Sequence, residues 1–523
     1  MKYTFLAIDD VSLPLRKNVC LYLSKPTVRA EPVLVPSPLE SNAPDNLATH
    51  FYGTVLHDAG KFRMWYYACH RGKNPDWPPR HMQQVAKMPS WLIGVKKGHE
   101  IYQGPLCYAE SDDGITWTKP SLGQVLFKGS RDNNALALPH TIVSGAAVIC
   151  DDDDPDPARR YKMVYQYFPD QTEPPIEEYG TSPSMACAVS PDGLKWTMTG
   201  IPFFNQFIEH CSFIRHNGRY IVHSQVFPGT PWGGGVYTEG GAGGGRSGVT
   251  HSTYDFDHWP DLWERSFALP EPGDPAKRGS DNCYDQVHLG VGAASFGNVC
   301  VGVYGLWHSQ AFGENFGKIS CELGLVVSND GIRFRDPSST PGRVFIHHDE
   351  SPATPVPGHD EFNTILCQGN GILNVGNETR IYHDRWRNVG QKAEDIAEYY
   401  RAEVALATLP RDRWGALGLN PGAETGVIVS ALLSLPAKDC ELRINADGVA
   451  GLTVDLLDEK MRPIPSFAGG KVTGPDGLDC QIRWKGHSLS ELGGGSVRVQ
   501  IGLRRTCDDL PRVYAIYVNQ EKA

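Results

Sequence analysis

Apolar and polar positions alternate with a period of two along most of this chain, in short runs closed by Gly, Asn, Asp or Pro. That pattern predicts strands with one buried face rather than amphipathic helices. Five stretches read as an apolar strand, a polar turn and an aromatic-rich strand: 53–67, 145–165, 211–223, 290–304 and 371–382. A second motif recurs between them. Its copies are Ser111-Asp-Asp-Gly-Ile-Thr-Trp117, Ser190-Pro-Asp-Gly-Leu-Lys-Trp196, Ser252-Thr-Tyr-Asp-Phe-Asp-His-Trp259 and Ser328-Asn-Asp-Gly-Ile-Arg-Phe334, with a decayed fifth at Thr408-Leu-Pro-Arg-Asp-Arg-Trp414. The copies start about 60–80 residues apart, a period that marks repeat architectures. Asp-Gly between apolar runs makes a tight turn, because Gly accepts a positive φ and Asp bonds its own backbone. Two hairpins per repeat give four strands, which is one propeller blade.

The chain is therefore expected to be all-β, with residues 46–423 forming a five-bladed β-propeller. Residues 1–45, with prolines at 26, 32, 36, 38 and 44, read as an extended lead-in packed on it. From 424 to 523, alternating runs such as 440–445, 451–457, 496–501 and 512–518 predict a C-terminal β-sandwich used as an accessory domain. The glycine-rich stretch 226–250 reads as a long loop in the third blade, suited to a rim or lid.

Composition narrows the function classes. A net charge of −11 disfavours a nucleic-acid partner, which needs a basic face. No apolar run is long enough to span a membrane as a helix. The first ten residues carry two acids before any secretory apolar core, so a cytoplasmic location is expected. Thirteen scattered cysteines without CxxC pairs read as buried thiols rather than a disulfide or zinc framework. The run Asp151-Asp-Asp-Asp-Pro-Asp156 reads as a solvated acidic turn. The Asp-Gly turns resemble sialidase Asp-boxes, which are structural, so Asp113, Asp192 and Asp330 are not catalytic candidates.

A propeller followed by a sandwich resembles the clan of furanosidase-type glycoside hydrolases that includes families 32, 43 and 68. The resemblance rests on the blade punctuation, on Tyr161-Lys-Met-Val-Tyr165, and on Leu456-Leu-Asp-Glu-Lys-Met-Arg-Pro-Ile-Pro465 with Arg483-Trp-Lys-Gly486. One departure matters. Family 32 opens its first blade with Asn-Asp-Pro-Asn-Gly, whereas the matching stretch here is His50-Phe-Tyr-Gly-Thr54, without an Asp. The resemblance implies a relative of these enzymes rather than an invertase.

The innermost strands of a propeller begin around one funnel, so residues just upstream of each inner hairpin are the candidate ring. They include His50, His140, His210, Asp281, Gln286, His288, Glu361 and Gln368 as substrate-binding groups. Glycosidic cleavage needs one carboxylic acid for the leaving oxygen and a second carboxylate as base or nucleophile. Glu209 is the expected acid, since Phe203, Phe204, Phe207 and Ile208 surround it in sequence and desolvation raises a carboxyl pKa. The corresponding blade of the resembling families also supplies the acid. Asp285, then Asp45, are the expected second carboxylate. This chemistry requires no cofactor, although the ring of imidazoles also suits a single metal ion on the propeller axis. The expected function is hydrolysis of a small oligosaccharide or glycoside. The expected partner is a small carbohydrate, with room for a homo-oligomer. The competing readings are a glycoside phosphorylase of the family 130 type and a non-catalytic carbohydrate-binding propeller.

Overall fold

The computed structural model describes residues 3–77, 101–140, 142–167, 184–200, 209–226, 247–260, 262–267, 286–308, 320–338, 343–358, 363–387, 400–436, 440–507 and 509–520. Among the described residues the regular elements are strands and short 3-10 turns, and no helix is long and apolar enough to cross a membrane. The protein is all-β, as the period-two patterning predicts.

The strands up to residue 410 fall into successive antiparallel groups. The first is Ala48–Asp58, Lys61–Arg71 and Ile101–Ser111. The second is Val143–Cys150, Tyr161–Tyr167, Ser184–Ser190 and Thr197–Gly200. The third is Glu209–His216, Arg219–Val226, Ser247–Thr253 and Trp263–Phe267. The fourth is Gln286–Ser295, Cys300–His308, Ser320–Ser328 and Val344–Ile346. In the fifth, Thr364–Cys367 and Ile372–Val375 both pair with Glu378–Arg387, which is followed by Arg401–Pro410 and edged by Thr27–Val28. The leading strands pack on one another in chain order, and Ile372–Val375 closes the ring by packing on both Gln286–Ser295 and Ala48–Asp58. This is a β-propeller arrangement.

Polar side chains tie the ring together where the leading strands meet. The Asn370 side chain donates to Phe213 O and accepts from the Phe213 amide at 2.9 Å, while its backbone pairs with Gly53 and Val55. Gln368 donates to the carbonyls of His288 and Gly290 at 2.6 and 2.8 Å. Buried backbone groups need such partners wherever the sheet ladder ends.

The repeated turn has a physical job. Asp113 Oδ1 accepts from the amides of Ile115 and Thr116, both at 2.7 Å, and Asp192 and Asp330 repeat the pattern. The amides of Thr116 and Ile115 hold the Asp113 carboxyl down at about 2. The following glycine takes a left-handed φ of 71° to 73° in these three copies. Its carbonyl then accepts a bond from the second strand of the preceding group. Gly114 O takes the Tyr382 hydroxyl at 2.7 Å, Gly193 O the Trp65 indole at 2.9 Å, and Gly331 O the His223 imidazole at 2.8 Å. Each of these three copies staples one group to its neighbour.

The acidic run is not simply a solvated turn. Asp151 is buried and meets Lys162 at 3.0 Å, Arg215 at 2.8 Å and the Tyr220 hydroxyl at 2.5 Å. Lys162 is itself fully buried and also reaches Asp154 at 2.7 Å. The run therefore links the second and third groups through ion pairs. The carboxylates of Asp151 to Asp154 all meet basic partners, and the buried Asp151 is paired as a buried charge must be.

The expected lead-in 1–45 divides between two structures. Tyr3–Leu6, Leu15–Lys17 and Val19–Leu23 pair with Arg512–Gln520, Thr425–Val429 and Gly415–Leu419 of the C-terminal part. Residues 27–34 run instead against the fifth group. The first three strands and nine C-terminal ones form one twelve-stranded sheet around its own core, which includes Phe5, Ile444, Val454, Ile501 and Ile516. The alternate residues Leu6, Ala515 and Tyr517 turn the other way, into a junction core with Leu323, Leu325, Phe345 and Trp414. Period-two alternation thus lets two strands serve both cores. Among the described residues the cysteines are free thiols, most of them buried.

Candidate active site

The leading strands of the first, fourth and fifth groups bring His50, Tyr52, His288 and Cys367 together at one end of the ring, where Cys211 of the third group also arrives. Tyr52 lies 3.2 Å from the Cys367 sulfur through its hydroxyl, and the Trp386 indole donates to the same sulfur at 3.4 Å. His288 Nδ1 is 3.4 Å from it as well, and the His288 ring lies 4.5 Å from that of Trp307. Cys211 reaches the Gln368 carbonyl at 3.5 Å. Tyr52 and Trp386 are half-buried and line this mouth with aromatic faces. Burial pushes the Cys367 thiol well up, which keeps it protonated and unsuited to nucleophilic attack.

At the mouth lies a three-residue chain. His50 Nδ1 bonds Asp384 Oδ2 at 2.7 Å, and His50 Nε2 bonds the Tyr400 hydroxyl at 2.6 Å. The His50 ring stacks on Tyr67 at 4.6 Å and stands edge-on to Trp386 at 5.8 Å. Asp384 is fully buried, and desolvation raises its pKa, against the opposing pull of His50. Burial also pushes the Tyr400 phenol well up, so it remains a donor. With the proton on Nδ1, the imidazole accepts from Tyr400 and presents its other edge to the carboxylate. The arrangement holds both ring and phenol in one orientation beside the mouth.

The expected site residues are distributed as follows. His50 joins the mouth, as does His288. Gln368 sits at the mouth but spends its amide on the backbone of the fourth group. His140 is on the second group, bonded to the Tyr165 hydroxyl at 2.9 Å and stacked on Tyr167 at 3.6 Å. Glu209, His210 and Gln286 open described strands, at Glu209–His216 and Gln286–Ser295, and their side chains lie outside the description. Asp281, Asp285, Glu361 and most of the glycine-rich loop lie outside the described residues.

Asp45, one of the expected second carboxylates, is held by three side chains ahead of the first group. Its carboxylate is fully buried and accepts from Ser37 at 2.6 Å and Tyr66 at 2.7 Å, with Lys119 Nζ at 2.5 Å. Those partners occupy it as a brace between the lead-in and the first group. A metal ion on the axis finds no ready imidazole in His50, whose two nitrogens are engaged by Asp384 and Tyr400. Among the described residues, the group with metal-holding spacing is Glu322, His347 and His348, away from the ring.

Asp384, Trp386 and Tyr400 were not among the expected residues, because they lie at the end of Glu378–Arg387 and just before Arg401–Pro410 rather than ahead of a leading strand. One signal was present: His383-Asp384-Arg385-Trp386-Arg387 sets four chargeable groups in the end of an apolar strand, and nearly all are buried. The odd-numbered ones face away from the mouth. There Arg385 and Arg401 clamp Glu403 at 2.9 and 2.8 Å.

No family model matches the chain, and no curated protein matches it. Solved structures with a similar chain path include a glycosyl hydrolase from Bacteroides ovatus, 15% identical over 75% of this chain and 95% of that one, with a TM-score of 0.41. A β-1,2-mannobiose phosphorylase from Listeria innocua is 11% identical over 75% and 96%, at 0.41. A family 43 arabinoxylan arabinofuranohydrolase from Bacillus subtilis is 9% identical over 94% and 99%, at 0.38. Likeness at this level assigns neither family nor activity.

Proposed function

We propose that the chain is a glycoside hydrolase built on a five-bladed propeller with a C-terminal sandwich-type domain, and that it cleaves a small oligosaccharide or glycoside in the funnel. The observation that carries this reading is the mouth itself. Aromatic faces, imidazoles and a buried carboxylate meet where the leading strands begin. Aromatic rings stack on the apolar faces of sugars, while polar groups at fixed positions read hydroxyls. In this reading Glu209, two residues before Cys211, is the general acid. Asp285, three residues before His288, is the second carboxylate. The Asp384–His50–Tyr400 chain holds the first-group side of the site in place.

Phosphorolysis is the second reading, and it needs a cradle of Arg, Lys or His for phosphate. Among the described residues, the arginines nearest the mouth face away from it, and Arg385 and Arg401 pair with Glu403. The test is product release from a panel of aryl furanosides and pyranosides by wild type and Glu209→Gln, with and without phosphate. Turnover that collapses in the variant and ignores phosphate is expected. Phosphate-dependent turnover would move the assignment to a phosphorylase. Turnover untouched by Glu209→Gln would remove Glu209 as the acid.

A further inference from the structure

We propose that Glu322, His347 and His348 form a binding site for a divalent transition-metal ion of the zinc class, separate from the funnel. The chain builds it from one strand and one turn. Val344–Ile346 pairs with Ser320–Ser328, placing Ile346 opposite Leu323. The very next residue, His347, caps the 3-10 turn His348–Glu350. This pairing sets both histidines beside Glu322, whose side chain is 2% exposed in a strand buried along its whole length. The preceding residue, Cys321, packs with the mouth cluster, so alternation turns Glu322 to the opposite face.

The donor atoms converge. One from each residue lies within 4.8 Å of the others. His347 Nε2 is 3.7 Å from Glu322 Oε1, and His348 Nδ1 bonds that same oxygen. The remaining ring nitrogens both address Asp349: His347 Nδ1 at 3.5 Å from one oxygen and His348 Nε2 at 3.3 Å from the other. The Asp349 amide donates to His347 Nδ1 at 3.2 Å, which caps the turn. Two imidazoles and one carboxylate are a donor set for zinc and its neighbours, and three protein ligands leave a position for water. His347 is 40% exposed, which gives the ion a way in. Bound there, the ion would clip the turn to the strand, alongside the 2.9 Å Lys25–Glu350 pair.

The test uses the full chain, stripped by a chelator and then titrated with zinc chloride against a chromophoric competitor. Metal content is measured after gel filtration. One zinc per chain, retained by wild type and lost in His347→Ala and Glu322→Gln, is expected. A wild type that retains no zinc, or variants that retain it equally, would overturn the proposal. If Glu322→Gln fails to fold, the half-exposed His347→Ala decides the matter alone.

Discussion

Replacing His50 by Ala should destabilise the propeller more than its size suggests, and Asp384→Asn should relieve part of that cost. Asp384 is fully buried and His50 is 1% exposed, and the two meet at 2.7 Å. Removing the imidazole leaves a buried carboxylate without its partner, which costs about 3–5 kcal/mol. Asp384→Asn alone keeps the shape but weakens a charge-assisted bond, at about 1–3 kcal/mol. In the double variant no charge is stranded, so its cost should fall short of the sum by about 1–3 kcal/mol. The assay is urea unfolding followed by tryptophan fluorescence, since Trp386 and Trp65 both report on the ring. Additivity within about 0.5 kcal/mol would refute the reasoning, because independent sites add to that precision. The same variants report on function: under the proposed reading, turnover should fall in both single variants, through misplacement of Tyr400 and the first-group wall.

Two further outcomes follow from the joints between groups. The bidentate bond from Arg160 holds the Asp58 carboxyl at about 2, against an ordinary 3.8, and Tyr161 adds to it. Because the folded value lies below the unfolded one, this stabilisation is complete above about pH 4 and disappears as pH falls toward 2. With Asp58 17% exposed, it should amount to about 1–2 kcal/mol, seen as a loss of acid sensitivity in Asp58→Asn unfolding curves. Gly193→Ala should cost about 1–3 kcal/mol in thermal unfolding, because φ is +73° and the new methyl would sit 2.9 Å from Trp65. An unchanged midpoint would show that the Gly193–Trp65 staple is dispensable.

Much of the architecture was legible in the sequence because strands are a local matter. Alternation and Asp-Gly turns depend on neighbours within a few residues, and the observed groups follow the inner hairpins at 53–67, 145–165, 211–223, 290–304 and 371–382. The recurrence of the turn was also visible, though not its purpose. That Gly114 receives Tyr382, 268 residues away, depends on ring closure. The N-terminal strands show the converse. Nothing local in Tyr3–Leu6 reveals that its partner is Arg512–Gln520.

The site divides along the same line. By itself the sequence determined that imidazoles recur where leading strands begin, and His50 and His288 do meet at the mouth. Only the tertiary structure decided which carboxylate stands beside them. Asp45 precedes its strand as a funnel residue should, yet Ser37, Tyr66 and Lys119 claim it. Asp384, 334 residues from His50, takes the place at the mouth. The reason is physical: a strand's alternation sets which residues share a face, but the partner across that face is chosen by how the sheets pack. Once water is excluded, an isolated charge is too costly to remain, so burial and pairing are settled together.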